Sequence, residues 1–157
     1  MSYQKNKVMK EITIKCRDLM VGDWITNRNG FPMQITNVGE DYAYATWDGN
    51  EGDPWEFDDK DEQPKPIPLT PEILEKNGFK KIDFSHYQIN DRTLVLDADG
   101  KWDGEVSWHW VVTEMSTNSK GQNVVLDYYV ATLNYAHQLQ HALRLCGLNE
   151  LADNFKI

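Results

Sequence analysis

The clearest candidate for chemistry is a pair of histidines four residues apart, in the segment 137–141, which reads HQLQH. Residues four apart share one face of a helix, so both imidazoles could bind one zinc ion. In zinc proteases with this spacing, a glutamate after the first histidine accepts a proton from the zinc-bound water. Gln138 has no carboxylate for that step, which argues against this class of protease. A metal-dependent hydrolase centred on His137 and His141, completed by a distant carboxylate or by His86, is the alternative function.

The helix that carries these histidines is predicted over 133–146, and a second short helix is predicted over 149–155. Apolar residues of the first helix form one stripe around Leu139, which suits packing on a sheet. At 100° per residue, His137 and His141 lie about 160° to either side of Leu139. We therefore expect both histidines to face solvent, and we expect no cofactor.

Negative charge marks a second candidate site, the acidic window over residues 40–62. Ten carboxylates and one lysine lie in the acidic window, which therefore accounts for the whole net charge of -9. Such a surface repels phosphates and attracts basic partners. Within the window, a tryptophan between proline and glutamate is the best candidate for an exposed anchor of a protein–protein interface. The predicted binding surface consists of Trp55, Glu56, Asp58, Asp59, Asp61 and Glu62.

Strand and turn patterns predict that a small β module comes first, over residues 1–62. Alternation of polar and apolar residues indicates strands near 11–16, 32–38 and 42–47. A Gly-Asp turn at 22–23 and an Asn-Gly turn at 29–30 punctuate them. This pattern is typical of a small SH3-like β-barrel, with the acidic window as a loop.

A proline-rich stretch over 63–71 predicts a stiff connector to a second module, over 72–157. Thr70 is a good helix N-cap, followed by Pro71 at the first helical position and by a stop at Gly78. Strands are then expected near 80–87, 93–96, 105–113 and 123–130, with a turn over 97–105. The predicted fold class is α+β, a small SH3-like barrel followed by an antiparallel sheet packed with a C-terminal helix.

Length and composition exclude several classes of protein. A chain of 157 residues can bury one core or two small ones without disulfides. Cys16 and Cys146 stand far apart, with no metal-binding spacing around them. The sequence has no signal-peptide pattern, no stretch able to span a bilayer and no phosphate-binding glycine motif. We therefore expect a cytoplasmic protein that binds neither membranes nor, directly, nucleic acid.

Three blocks, over 18–24 (DLMVGDW), 66–79 (PIPLTPEILEKNGF) and 135–143 (YAHQLQHAL), span most of the chain. Together they resemble an uncharacterised family of small proteins encoded in gut Bacteroides-type bacteria and in their phages or mobile elements. Members of that family often carry glutamate at the position of Gln138. The resemblance implies a bacterial or phage protein of the cytoplasm and no catalytic activity.

These observations lead to one main hypothesis, a non-enzymatic interaction protein that uses its acidic surface. The partner would be a protein, either basic or itself nucleic-acid-binding. In the second case the acidic window would imitate the phosphates of DNA.

Overall fold

A computed structural model of the protein describes residues 12–90, 92–97 and 107–157. These residues fall into two compact units. Unit 1 comprises 12–21 and 25–66, and unit 2 comprises 22–24 together with the described residues from Ile67 onward. None of the helices in the described ranges is long and apolar enough to cross a membrane.

Unit 1 is built around a five-stranded sheet of short strands. The strands are β1 (Trp24–Thr26, whose first residue is assigned to unit 2), β2 (Pro32–Val38), β3 (Tyr42–Thr46), β4 (Trp55–Asp58) and β5 (Lys65–Pro66). Their order in the sheet is β4-β3-β2-β1-β5, and the pairs β2–β3, β3–β4 and β1–β5 are antiparallel. Alternate residues point to the same side, so a small core forms on one face. Fully buried members of that core include Ile25, Met33 and Phe57.

Two predictions for this unit are wrong. Residues 12–15 form no strand, and a short 3₁₀ helix follows them over Cys16–Asp18. The acidic window is not all loop, because β4 runs through it and buries Phe57. Charged residues have a low strand propensity. The sequence pattern therefore did not indicate β4, in which Phe57 is the one buried residue.

Unit 2 contains the antiparallel sheet and the C-terminal helix, as predicted for the α+β class. The elements are α1 (Pro71–Lys76), β6 (Lys80–Lys81), β7 (His86–Ile89), β8 (Arg92–Asp97), β9 (Ser107–Thr117), β10 (Asn123–Thr132), α2 (Ala136–Leu145) and α3 (Asn149–Asp153). The sheet order is β10-β9-β8-β7-β6. The hydroxyl of Thr70 accepts a hydrogen bond from the Ile73 amide, which confirms the predicted cap of α1.

The hairpin of β9 and β10 is buried over only part of its length. Trp108 and Trp110 pack in one core with residues of α2, whereas Leu126, Tyr128 and Val130 are exposed. The predicted packing of the sheet with the C-terminal helix therefore applies to only part of this hairpin. A helix of ten residues is about 15 Å long, whereas a strand of ten residues extends for about 33 Å. Residues 98–106, which contain most of the predicted turn, lie outside the described residues.

Candidate functional site

His141 does not face solvent freely but meets a buried carboxylate. Its Nε2 lies 2.6 Å from Oδ2 of Asp23, a distance at which a protonated nitrogen donates to the carboxylate. Nη1 of Arg144 donates to the other oxygen of Asp23 at 3.1 Å. Asp23 is 0% exposed, and the His141 side chain is 26% exposed. We call Asp23, His141 and Arg144 the Asp23 cluster.

His137 is also placed differently from the prediction, since the residue is only 7% exposed. Its ring stacks near Tyr135, with centroids 6.1 Å apart, and meets His141 edge to face at 5.7 Å. The expectation of two solvent-facing histidines is therefore wrong. The helical spacing of 100° per residue located the sheet-facing stripe of α2 correctly. It could not show that residues 22–24 pack against a different side of the same helix.

The conformation of the turn that positions Asp23 depends on Gly22 and on Gln140. Gly22 has a φ of 93°, a conformation that L side chains rarely adopt, and a Cβ there would lie 3.1 Å from Nη2 of Arg144. Gln140, which is fully buried, fixes the same segment. Its Nε2 donates to the carbonyls of Gly22 and Ala152, and its Oε1 accepts from the amide of Trp24.

Gln138 stands where a zinc protease would carry its glutamate, and in this structure it caps α2. Its Oε1 accepts hydrogen bonds from the amides of Asn134 and Tyr135 at 2.9 and 3.3 Å. Those amides precede the helix, so the side chain satisfies donors that the helix itself leaves unpaired. Gln138 therefore has a structural role at the start of α2, which a glutamate could also fill.

The described residues contain no group of three histidine, cysteine, aspartate or glutamate side chains placed to hold a metal ion. His86, considered as a distant third ligand, instead pairs with Asp83, with Nδ1 and Oδ1 2.6 Å apart. The amide of Ser85 and the ring of His86 both hydrogen-bond Asp83, and these bonds lower the pKa of its carboxyl. Within the described ranges, the two histidines of α2 thus contribute to packing and to the Asp23 cluster.

The carboxylates of the acidic window divide into two groups. Asp58, Asp59 and Glu62 are half-buried and hold local structure. Their side chains accept hydrogen bonds from the backbone amides of Lys60, Cys16 and Arg28, respectively. The exposed carboxylates are Glu40, Asp41, Asp48, Glu51, Asp53, Glu56 and Asp61.

Asp59 and Cys16 form the most strongly perturbed pair in unit 1. The amide of Cys16 donates to Asp59 at 2.9 Å and lowers the pKa of that carboxyl. Burial, the hydrogen bond with Asp59 and the negative charges of Asp59, Asp58 and Asp41 raise the pKa of the Cys16 thiol to about 12. A fully buried thiol that stays protonated is a poor nucleophile, so this pair is structural.

The predicted binding residues do not form a single surface. Trp55 and Phe57 lie on one side of β4, whereas Glu56 and Asp58 project from the other side because successive residues alternate. Asp59, Asp61 and Glu62 line a separate recess of about 260 Å³ in unit 1. That recess also contains the cations Arg28, Lys60 and Lys65, so its charge is mixed.

Trp55 instead lines a groove of about 250 Å³ that the sequence did not predict. Phe31 and Trp47 form two of its walls, with ring centroids 5.2 Å apart and planes at 69°. Trp55 is half-buried rather than fully exposed, and Phe31 is 47% exposed. We call this the aromatic groove; it is lined by Asn27, Asn29, Phe31, Met33, Trp47 and Trp55.

The residues of the aromatic groove come from the ends of strands and from two turns. Phe31 follows the predicted Asn-Gly turn, in which Gly30 has a φ of 76°. The buried side chain of Asn27 orders this turn, because its Oδ1 accepts from the amides of Asn29 and Phe31. Trp47 is the first residue of the connection between β3 and β4, and Trp55 directly follows that connection. In the sequence, the feature that could have indicated this site is the pair Trp47 and Trp55, which stand on either side of a short acidic segment.

Comparison of the chain with protein-family models, with curated proteins and with solved structures finds no match.

Proposed function

We propose that this protein is a non-enzymatic interaction protein whose unit 1 binds a basic protein partner through exposed carboxylates. In this proposal unit 1 is a small SH3-like barrel, and the protein is cytoplasmic and of phage or mobile-element type. A partner that itself binds nucleic acid fits the same charge, because the carboxylates would occupy its phosphate-binding surface.

One observation carries the proposal. The connection between β3 and β4, residues 47–54, holds the exposed carboxylates Asp48, Glu51 and Asp53 and no cation. We call this connection the acidic turn. Trp47 is its first residue and Trp55 directly follows it, and both tryptophans line the aromatic groove. Aromatic side chains surrounded by polar residues are typical of the energetic centres of protein interfaces.

Affinity capture from a nuclease-treated lysate of a Bacteroides-type bacterium tests this proposal. The informative variant carries Asp48→Asn, Glu51→Gln and Asp53→Asn, which remove three charges without touching the half-buried carboxylates. The control variant carries Glu72→Gln, Glu75→Gln and Glu150→Gln, which remove three exposed charges from unit 2.

We expect a specific partner that is lost in the acidic-turn variant, kept in the control variant and released as salt rises. A partner captured equally by both variants, or one insensitive to salt, would contradict the proposal. Neutralising Asp58, Asp59 and Glu62 would be a poorer test, because those residues hold the fold of unit 1 together.

The hydrolase alternative stays a prediction, and no contact among the described residues favours it. Metal analysis of the purified protein tests it directly. Stoichiometric zinc that is lost on His137→Ala would support that alternative.

A further inference from the structure

The aromatic groove presents π surface in a fixed arrangement. Phe31 and Trp47 stand nearly perpendicular to each other, and Met33, which is fully buried, lines the groove beside them. Trp55 adds a third aromatic ring. The faces of aromatic rings carry negative electrostatic potential, so a corner formed by several rings favours a cation over a neutral group.

The groove is also ordered before any partner binds. Asn27 is 2% exposed, and its side chain holds the turn that positions Phe31. Trp55 belongs to β4, where it pairs with Ala45 of β3. Binding therefore has to order little of the protein, which favours affinity from a small contact.

Charge around the groove matches a cation as well. Asp48, Glu51 and Asp53 of the acidic turn lie between Trp47 and Trp55 in the chain. The nearest cation in the other turn is Arg28, which is next to Asn27 and Asn29. Its backbone amide donates to Glu62, and its Nε lies 3.5 Å from the same carboxylate. In the chain, the residues that line the groove therefore adjoin three exposed carboxylates and one cation, which is paired with Glu62.

We propose that the aromatic groove binds the side chain of an arginine presented by a basic protein partner. This inference rests on the proposed function and names the group that the acidic surface recognises. Guanidinium is planar, stacks on aromatic rings and is more weakly hydrated than an ammonium ion, so it enters an aromatic groove at lower desolvation cost than lysine. The carboxylates of the acidic turn attract the cation, and the rings hold it.

A pair of matched peptides tests the inference on the full-length chain. Acetyl-Gly-Arg-Gly-amide carries the cation, and acetyl-Gly-citrulline-Gly-amide has nearly the same shape without the charge. Each peptide is titrated into protein labelled with ¹⁵N at the tryptophan indoles, and the indole N–H signals are followed by NMR.

We expect the arginine peptide to shift the signals of Trp47 and Trp55, and the citrulline peptide to bind about tenfold more weakly or not at all. Equal binding of the two peptides would overturn the inference, since the groove would then be an apolar docking site. Absence of any shift with arginine would overturn it too. Stronger binding of a proline-rich peptide than of the arginine peptide would also overturn the inference.

Variants of Phe31 separate the aromatic contribution from simple burial. Phe31→Leu keeps an apolar side chain but removes the ring. We expect this substitution to reduce the affinity for the arginine peptide about tenfold. Phe84→Ala, at an exposed phenylalanine of unit 2, is the control and leaves binding unchanged. Unchanged binding in Phe31→Leu, in a protein with a native-like NMR spectrum, would contradict the role of the ring.

The two proposals fail in different ways. Partner capture that depends on the acidic turn, without arginine-peptide binding, would refute the groove and keep the proposed function. Arginine binding at Trp47 and Trp55 combined with partner capture that ignores the acidic turn would refute the proposed function.

Discussion

Charged side chains serve different purposes in the Asp23 cluster of unit 2 and around the aromatic groove of unit 1. Asp23 is completely buried, and each of its oxygens has a cationic or imidazole partner within 3.1 Å. The carboxylates of the acidic turn are exposed, and in the chain they lie between two half-buried tryptophans that line the aromatic groove. A buried carboxylate requires its partners in order for the unit to fold, whereas an exposed one is available to another molecule. His141 therefore takes part in a network around a buried carboxylate of unit 2, whereas the carboxylates of the acidic turn in unit 1 are exposed.

The largest effect that tests this comparison is expected for Asp23→Ala. The substitution leaves Arg144 and His141 without their buried carboxylate, so we expect the free energy of unfolding to fall by about 3 kcal/mol. Urea unfolding followed by circular dichroism measures it. Asp53→Ala, in the acidic turn, is the matched control and changes stability by less than about 0.5 kcal/mol. Equal losses of unfolding free energy in Asp23→Ala and Asp53→Ala would contradict the distinction between a structural carboxylate in unit 2 and an exposed one in unit 1.

Gln140→Ala is expected to have the next largest effect. Gln140 is fully buried and makes three hydrogen bonds, to Trp24, Gly22 and Ala152. Its loss leaves backbone groups unsatisfied, so we expect a stability loss of about 2 kcal/mol. Faster amide hydrogen exchange at Trp24 would locate the damage. Native protection of the Trp24 amide in this variant would show that Gln140 does not hold the segment.

Alkaline pH should weaken unit 1 through Cys16. The thiol has an ordinary pKa of 9.0, and its pKa rises to about 12 in the fold. Between pH 9 and 12 the unfolded chain has lost the proton that the folded chain still holds, so stability falls as pH rises. One such group contributes about 1.4 kcal/mol per pH unit.

The variant Cys16→Ala isolates this effect, because the other alkaline groups titrate equally in both proteins. We expect a shallower decline of stability above pH 9 in the variant. Identical slopes in the two proteins would show that the Cys16 thiol ionises normally in the fold.

Phe31→Ala should have only a small effect on stability, although it removes a wall of the proposed binding groove. The ring is about half exposed, so its removal should cost no more than about 1 kcal/mol. Thermal unfolding measures this loss. A loss above about 3 kcal/mol would place Phe31 in the core and argue against a surface role.

Local patterns in the sequence were sufficient for several elements of the fold. The span of β2, the cap at Thr70 and the stop at Gly78 depend on neighbouring residues, and the structure has each of them. The strand β4 was missed because its one buried residue, Phe57, stands among carboxylates.

The candidate sites were harder to predict because their parts come from distant segments. Asp23 and His141 are separated by 118 positions, and no periodicity links them. Helical geometry alone therefore assigned the histidines to solvent. The division of Trp55 from Glu56 across β4 could have been predicted from strand alternation, had the strand been recognised.

The most direct test of the central claim is the arginine-peptide titration with all tryptophan indoles observed. We expect the signals of Trp47 and Trp55 to move with a common dissociation constant. The signal of Trp24, whose indole nitrogen donates to the Phe155 carbonyl in unit 2, should stay in place. Movement of Trp24 alone, or equal responses to arginine and citrulline, would contradict the claim that unit 1 recognises a cationic partner.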